Sequence, residues 1–164
     1  MKYSYRLALF VLLVFAFSNC TKNGSDKANY YMSAEVNGSL LDLTNTAVAD
    51  TMHSPTPGSV SYFILASEIG GFKGVRIVWI NHQNHTLLPA VYTGLDHHFS
   101  LHVIYTPDGV QEYRNLAFSG FSVAVHEIND CFIQGSFSGV LLLSPTMQDS
   151  VRITNGKFKL PFSR

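Results

Sequence analysis

The chain has 164 residues, with Lys and Arg matched by Asp and Glu at 11 each and a formal net charge of zero. A hydrophobic content of 46% with 13% charged residues excludes a disordered chain, and the same composition excludes collagen and coiled-coil classes. A nearly neutral surface without a basic stripe argues against nucleic acid as the main partner.

Met1 to Arg6 carries two positive charges, and Leu7 to Phe17 is an unbroken apolar run. A spanning helix needs about 20 such residues, so this run is too short for a membrane anchor and fits the central region of a secretory signal. Ala16-Phe17-Ser18-Asn19-Cys20 then places small or polar residues before a cysteine, and Thr21 to Lys27 is a polar tether. This resembles the lipobox of bacterial lipoproteins, with Phe17 where Leu is usual and Asn19 where Gly, Ala or Ser is usual. The resemblance implies that the Cys20 thiol receives diacylglycerol and that Cys20 becomes the mature N-terminus. Several buried acyl chains, at ~0.8 kcal/mol per CH₂, hold a protein stably on a bilayer. The expected organisation is a lipoprotein signal peptide over 1–19, a flexible tether over 20–29 and one all-β domain over 30–164. Without the leader, nine Lys and Arg face eleven Asp and Glu. A domain of this size buries about 70% of its unfolded surface and needs no disulfide staples. Cys131 is the other cysteine. Acylation of Cys20 leaves it no intrachain disulfide, and it reads as a half-buried small hydrophobe at the start of a strand.

From residue 30 onward the hydrophobic period is two, and no window follows the 3.6-residue helical period. Tyr30 to Val36 and Leu40 to Leu43 flank Asn37-Gly38, a strong hairpin signal because both residues accept positive φ. Thr44 to Ser59 reads as a polar loop with Pro55, Pro57 and Gly58. Val60 to Glu68 and Val75 to Asn81 are β-rich runs around Gly70-Gly71-Phe72-Lys73-Gly74, which precedes a strand and is therefore a turn and no phosphate cradle. His82 to Leu95 is irregular, with Pro89 and Gly94 as breakers. Phe99 to Thr106 and Val110 to Asn115 flank the turn Pro107-Asp108-Gly109. Phe121 to Ile128 is a strand ending at Asn129-Asp130.

Ile133, Gly135, Phe137, Gly139, Leu141 and Leu143 then alternate and share one face. Gly135 and Gly139 inside one strand predict a bulge or sharp bend, as where a strand changes sheets. Val151 and Ile153 precede a break at Asn155-Gly156, after which Phe158, Leu160 and Phe162 alternate, with Arg152, Lys157 and Lys159 on the solvated face. Nine or ten short strands predict an antiparallel two-sheet β-sandwich, with a lipocalin-like closed barrel as the alternative.

Several short motifs recur in a known order: Ala34-Glu35-Val36-Asn37-Gly38, Pro89-x-x-Tyr92, then Tyr105, Gly109 and Tyr113. Gly120 to Val125, Ile133-Gln134-Gly135-Ser136-Phe137-Ser138 and Val151 to Phe158 complete the set. Together they resemble small outer-membrane lipoproteins of Bacteroidetes whose function is uncharacterised. The resemblance covers most of residues 30–162. It implies an all-β fold and an outer-membrane lipoprotein, and brings no catalytic residues with it. With one acid in Thr21 to Asp26, the side of the outer membrane stays open. Asp50-Thr51-Met52 and Asp149-Ser150-Val151 resemble the short O-glycosylation signal of that phylum; Asn84-His85-Thr86 would be an N-glycan acceptor only in a eukaryote.

Seven histidines, His53, His82, His85, His97, His98, His102 and His126, raise the question of a metal. Zinc needs three or four ligands at about 2.0–2.2 Å. Strand neighbours His97 and His98 point to opposite faces, and His98 and His102 share a face but stand about 13 Å apart. A site would require His82 and His85 to meet one of these pairs across a loop. No Gly-x-Ser-x-Gly elbow exists, since Phe137 is the centre of Gly135-Ser136-Phe137-Ser138-Gly139. Asp96 or Asp108 with Glu112 shows no spacing suited to glycoside hydrolysis. Tyr30, Tyr31, Tyr62, Tyr92, Tyr105 and Tyr113 belong to the core with their hydroxyls reaching out, or else line a carbohydrate or apolar-ligand surface.

The expectation is a lipid-anchored envelope protein, non-enzymatic and without cofactor or metal. It would bind a partner protein, a glycan or a small apolar ligand through loops at one end. His53–Gly58, His82–His98 and Thr106–Val110 are the candidate loops. A metal-dependent envelope hydrolase using the histidines is the alternative.

Overall fold

The computed structural model describes residues 30–53, 60–69, 72–82, 85–94 and 98–163. The signal peptide, Cys20 and the tether lie outside the described residues, as do Pro55, Pro57, Gly58, Asn84, Asp96 and His97.

Every regular element among the described residues is a strand, and there are eleven. They are β1 (Tyr31–Val36), β2 (Ser39–Asp42), β3 (Val48–His53), β4 (Val60–Ser67), β5 (Gly74–Asn81), β6 (Ala90–Thr93), β7 (Phe99–Thr106), β8 (Glu112–Arg114), β9 (Ser122–Ile128), β10 (Phe132–Ser144) and β11 (Ser150–Pro161). All pair antiparallel in one sheet of order β2-β1-β11-β10-β8-β7-β5-β4-β3, with β9 on β10 and β6 on β9. The sheet curls into a half-barrel. A single parallel bridge, Ala49↔Phe162, together with Ser163 N–H donating to the Ala49 carbonyl at 2.8 Å, brings β3 back beside the end of β11. One continuous core fills the concave side, with Met32, Ile64, Ile77, Trp79, Val103, Val123, Leu141, Ile153 and Phe158 fully buried.

The all-β expectation is met. Asn37 and Gly38 have φ of 50° and 81° and close a two-residue hairpin between Val36 and Ser39, as their chemistry predicts. The turn is clamped to β11: Asn37 N–H donates to the Arg152 carbonyl at 2.9 Å and Arg152 N–H donates to Asn37 Oδ1 at 2.8 Å.

β10 behaves as its glycines predict. Its first half, Ile133 to Ser138, pairs with β9, and its last residues, Leu142 to Ser144, pair with β8. The change of partner falls at Gly139, whose φ is 139° and whose missing Cβ would lie 2.4 Å from the Phe121 Cα. Ile133, Gly135, Phe137 and Leu141 are buried on one face, whereas Gly139 is only half-buried at the bend.

Asn155-Gly156 does not end a strand. β11 runs through it, and the register shifts against both neighbours, from Ser33↔Lys157 to Glu35↔Thr154 on β1 and from Phe137↔Gly156 to Gly139↔Ile153 on β10. Each neighbour advances two residues while β11 advances three, so the strand carries a bulge, with Asn155 at φ 53°. The bulge has a clear consequence. Val151 and Ile153 are odd-numbered, Phe158 and Leu160 even, and one extra residue puts both pairs on the core face.

Three further expectations are corrected. The polar loop Thr44 to Ser59 contains β3, hidden from pattern reading because only Ala49 of its six residues is buried. The irregular stretch His82 to Leu95 contains β6, a four-residue strand with Tyr92 as its one buried side chain. The strand Val110 to Asn115 shrinks to Glu112–Arg114, because Asp108 Oδ1 accepts the Val110 and Gln111 amides at 2.9 and 2.8 Å and holds the turn open.

The β10–β11 ribbon is built on two reciprocal cross-strand pairs, Gly135 opposite Phe158 and Phe137 opposite Gly156. Each ring lies over the glycine of the other strand: a Cβ on Gly135 would stand 2.5 Å from Phe158 Cζ, and one on Gly156 would stand 2.6 Å from Phe137 Cδ2. Gly135→Ala and Gly156→Ala should therefore each destabilise the fold by about 1–3 kcal/mol through overpacking. Gly38→Ala meets no atom within 4 Å and should cost only the positive-φ penalty of about 1–2 kcal/mol. Urea unfolding measures all three; a Gly156→Ala chain as stable as the parent would refute the packing account.

Candidate functional site

The register defines two ends. β1–β2, β4–β5, β7–β8 and β10–β11 all turn at one end, here the hairpin end, since Val36↔Ser39, Ser67↔Gly74, Tyr105↔Tyr113 and Leu142↔Ser150 close their ladders. The opposite end carries His53, the stretch between Asn81 and Phe99, and the entry of the chain at Tyr31, which pairs with Lys159. The three candidate loops thus do not share an end. Thr106–Val110 is at the hairpin end, and His53 and His82–His98 are at the other. Pattern reading could not see this, because it places turns along the chain but not their strands in the sheet.

At the hairpin end a cleft of about 280 Å³ is lined by Asn37, Leu40, Lys73, Tyr105, Pro107 and Tyr113, among others. Three of the four hairpins therefore enclose it, and the fourth is tied in from below. Tyr113 O–H donates to Asp149 Oδ2 at 2.7 Å, joining β8 to the β10–β11 turn. The Tyr105 and Tyr113 rings stand 6.2 Å apart, tilted by 41°, and both side chains are buried. A second hollow of about 380 Å³ runs over the outer face of β4, β5 and β7, with Leu65, Arg76, Ile104, Glu112 and Phe72 in its lining. Phe72 lies against the β7–β8 turn: a Cβ on Gly109, at φ 78°, would stand 2.6 Å from the Phe72 Cβ, so the β4–β5 and β7–β8 turns touch.

The electrostatics here follow from hydrogen bonds. Tyr113 O–H and the Ser150 amide hold the Asp149 carboxyl below its ordinary value of 3.8, while the same bond raises Tyr113. Asp108 is lowered by the Gln111 and Val110 amides. Burial raises Tyr105, helped by Glu68 and Asp108. Lys73 Nζ lies 3.5 Å from Glu68 Oε1, and Arg114 is ion-paired with Glu112; both pairs are exposed and worth little.

Of the tyrosines, Tyr92 is a core residue at the other end: its hydroxyl accepts the Leu88 amide at 3.1 Å and donates to the Leu88 carbonyl at 2.7 Å. It meets Trp79 edge-on at 6.4 Å and Phe99 at 5.6 Å. Trp79 is fully buried, and its indole Nε1 has no hydrogen-bond partner among the described residues. Tyr30, Tyr31 and Tyr62 are partly exposed.

The histidines disperse over several faces. His53 and His102 are exposed on strands, and His126 Nε2 lies 3.1 Å from Ser136 Oγ at the β9 bulge. The loop after β5 does bring His85 against His98, with ring centroids 4.0 Å apart, and places the His82 amide on the His98 carbonyl at 3.2 Å. His82 Nε2 instead takes Ser100 Oγ at 2.6 Å, and buried Asn81 grips the His85 backbone on both sides. Among the described residues no three His, Cys, Asp or Glu side chains converge on a point that could hold a metal ion.

Cys131 sits half-buried before β10 with its amide on Asn129 Oδ1 at 2.9 Å, and it is disulfide-bonded, not the unpaired small hydrophobe expected of it. Cys20 is the only other cysteine in the sequence, so an intrachain disulfide and an acylated Cys20 exclude one another. Thr51 and Ser150, the residues of the two O-glycosylation patterns, are both exposed.

A lowered Asp contributes stability that is present above its ordinary value and lost as pH falls through its folded value. Tyr113→Phe should therefore raise the Asp149 carboxyl toward 3.8 and shrink the acid-side loss of stability that this group causes. Carboxyl chemical shifts followed through an acid titration check this; an Asp149 unmoved by the substitution would remove the Tyr113 bond as the cause.

No protein-family model, no curated protein and no solved structure matches the chain.

Proposed function

We propose that the protein is a lipid-anchored module of the bacterial cell envelope that binds a partner and catalyses nothing. The leader Lys2 to Phe17, the place of Cys20 after it and the polar stretch that follows support the anchor, as does the likeness of the motifs to Bacteroidetes outer-membrane lipoproteins, whereas the disulfide at Cys131 stands against it, since Cys20 is its one possible partner within the chain. The observation that carries the binding role is the hairpin end: the β1–β2, β4–β5 and β7–β8 turns, from distant parts of the chain, meet there around one cleft, at the end opposite Tyr31, where β1 begins. A scaffold that gathers its turns on a rigid sheet is how binding loops are positioned. For the finer architecture we favour a partly closed barrel over the two-sheet sandwich, on the support of one hydrogen-bonded sheet and the Ala49↔Phe162 bridge between its distant strands.

The anchor is tested by fractionation of cells. Cys20→Ser should move the protein from membranes to the soluble fraction, and Cys131→Ser should leave it on membranes. The intact mass of the extracted protein should carry the added diacylglycerol. A Cys20→Ser chain still on membranes, or a mass showing Cys20 joined to Cys131, would overturn the lipid anchor.

A further inference from the structure

The cleft at the hairpin end holds a polar group that the fold does not use. Tyr105 stands on the core face of β7 and is only 5% exposed, and it lines the cleft. Its hydroxyl has no hydrogen-bond partner among the described residues. Buried hydroxyls are ordinarily satisfied, and the other two buried tyrosines follow that rule, Tyr92 on Leu88 and Tyr113 on Asp149. Tyr105 departs from it. Burial, helped by Glu68 and Asp108, raises Tyr105, so the phenol keeps its proton and has it to donate.

The groups around that hydroxyl sort by chemistry. Val36, Leu41 and Val151 lie on the core side of their strands and give the cleft an apolar wall. Lys73, Asn37 and Ser39 stand at its lip. Asn37 spends its Oδ1 on the Arg152 amide, which leaves the hydrogens of its own side-chain amide. Lys73 Nζ is 3.5 Å from Glu68 Oε1, longer than an ordinary hydrogen bond, and keeps donors for a second partner. The lip thus offers donors and one positive charge, and no carboxylate lines the cleft among the described residues.

We propose, on the binding reading above, that this cleft takes a small amphipathic carboxylate, its head group on Lys73 and the Tyr105 hydroxyl and its apolar body against Val36, Leu41 and Val151. A cationic ligand would meet Lys73 and find no counter-charge in the lining. A neutral polyol would leave the apolar wall unused. A volume of about 280 Å³ is at the small end of ligand sites, which limits the body to a short chain or a single ring. Glu68 competes from within the chain, because it holds the same ammonium group.

The test is titration of the purified full-length protein with hexanoate, and with hexanamide as its uncharged counterpart, followed by ligand-observed NMR. Hexanoate should bind saturably and hexanamide about tenfold more weakly, the scale of one hydrogen bond to a charged group. Tyr105→Phe should weaken hexanoate about tenfold and leave the urea midpoint where it was, since the hydroxyl holds nothing within the fold. Lys73→Met should weaken it to a similar degree, and Glu68→Gln should tighten it by releasing the ammonium. Equal binding of acid and amide would overturn the site, as would binding indifferent to both Tyr105→Phe and Lys73→Met. So would weaker binding in Glu68→Gln, no saturable binding, or a Tyr105→Phe chain with a lowered urea midpoint, which would give the hydroxyl a structural role. Fractionation of cells separates this site from the anchored-module reading. Membrane-bound protein that fails to bind hexanoate sinks the carboxylate site alone, and soluble wild-type protein that binds it sinks the anchor alone.

Discussion

The contact on which the rest of the molecule depends is the crossing of two phenylalanine rings over two glycines on the β10–β11 ribbon. These are the longest strands, and every other strand is hung from them: β1 and β2 on the far side of β11, β9 and β6 on the first half of β10, and β8 with the remaining strands on its second half. Phe137 and Phe158 can lie across the ribbon only because Gly156 and Gly135 offer no Cβ, and their ring centroids then stand 6.3 Å apart over the core. An aromatic ring over a cross-strand glycine restores the packing that the glycine lacks and lets the strands curl.

Curvature at the ribbon creates the cleft at the hairpin end. A flat sheet would leave the four hairpins in a row. Here the bend of β10 at Gly139 and the bulge of β11 at Asn155 swing β8 and the strands beyond it around, so that β1–β2, β4–β5 and β7–β8 face a common cleft. Side-chain bonds then hold the rim. Tyr113 reaches Asp149, Asp108 caps its own turn, and Asn37 clasps Arg152. The cleft is thus a product of sheet geometry, lined by Tyr105 and Tyr113 with Lys73, Leu40 and Pro107.

The two ends differ in kind. The tether end is closed by aromatic packing of Trp79, Tyr92 and Phe99 and carries the His85–His98 contact beside the buried Asn81. Its histidines answer to hydroxyl and backbone partners that sit nearer than any common centre. The hairpin end carries the exposed apolar side chains Leu40, Ile69, Phe72, Val110 and Met147, with Asp108 and Asp149 held by their own hydrogen bonds.

Much of this was legible in the amino-acid order. Period-two alternation dictated strands, Asn37-Gly38 dictated its hairpin, and the glycines of β10 announced a bend, since each of these is a local property of a few residues. Weakly alternating β3 and short β6 were illegible, because they owe their pairing to β4 and β9 and not to their own side chains. Asn155-Gly156 has the same letters as a hairpin turn and becomes a bulge only because β1 and β10 flank it on both sides. The apolar run of Leu7 to Phe17 before Cys20 is a feature of the sequence alone. Which turns stand together, that Tyr113 meets Asp149 thirty-six residues away, and that Leu40, Phe72, Val110 and Met147 share one end were decided by the tertiary structure. The order of strands in a sheet is set by which faces can be buried against each other, and no single segment of the chain contains that information.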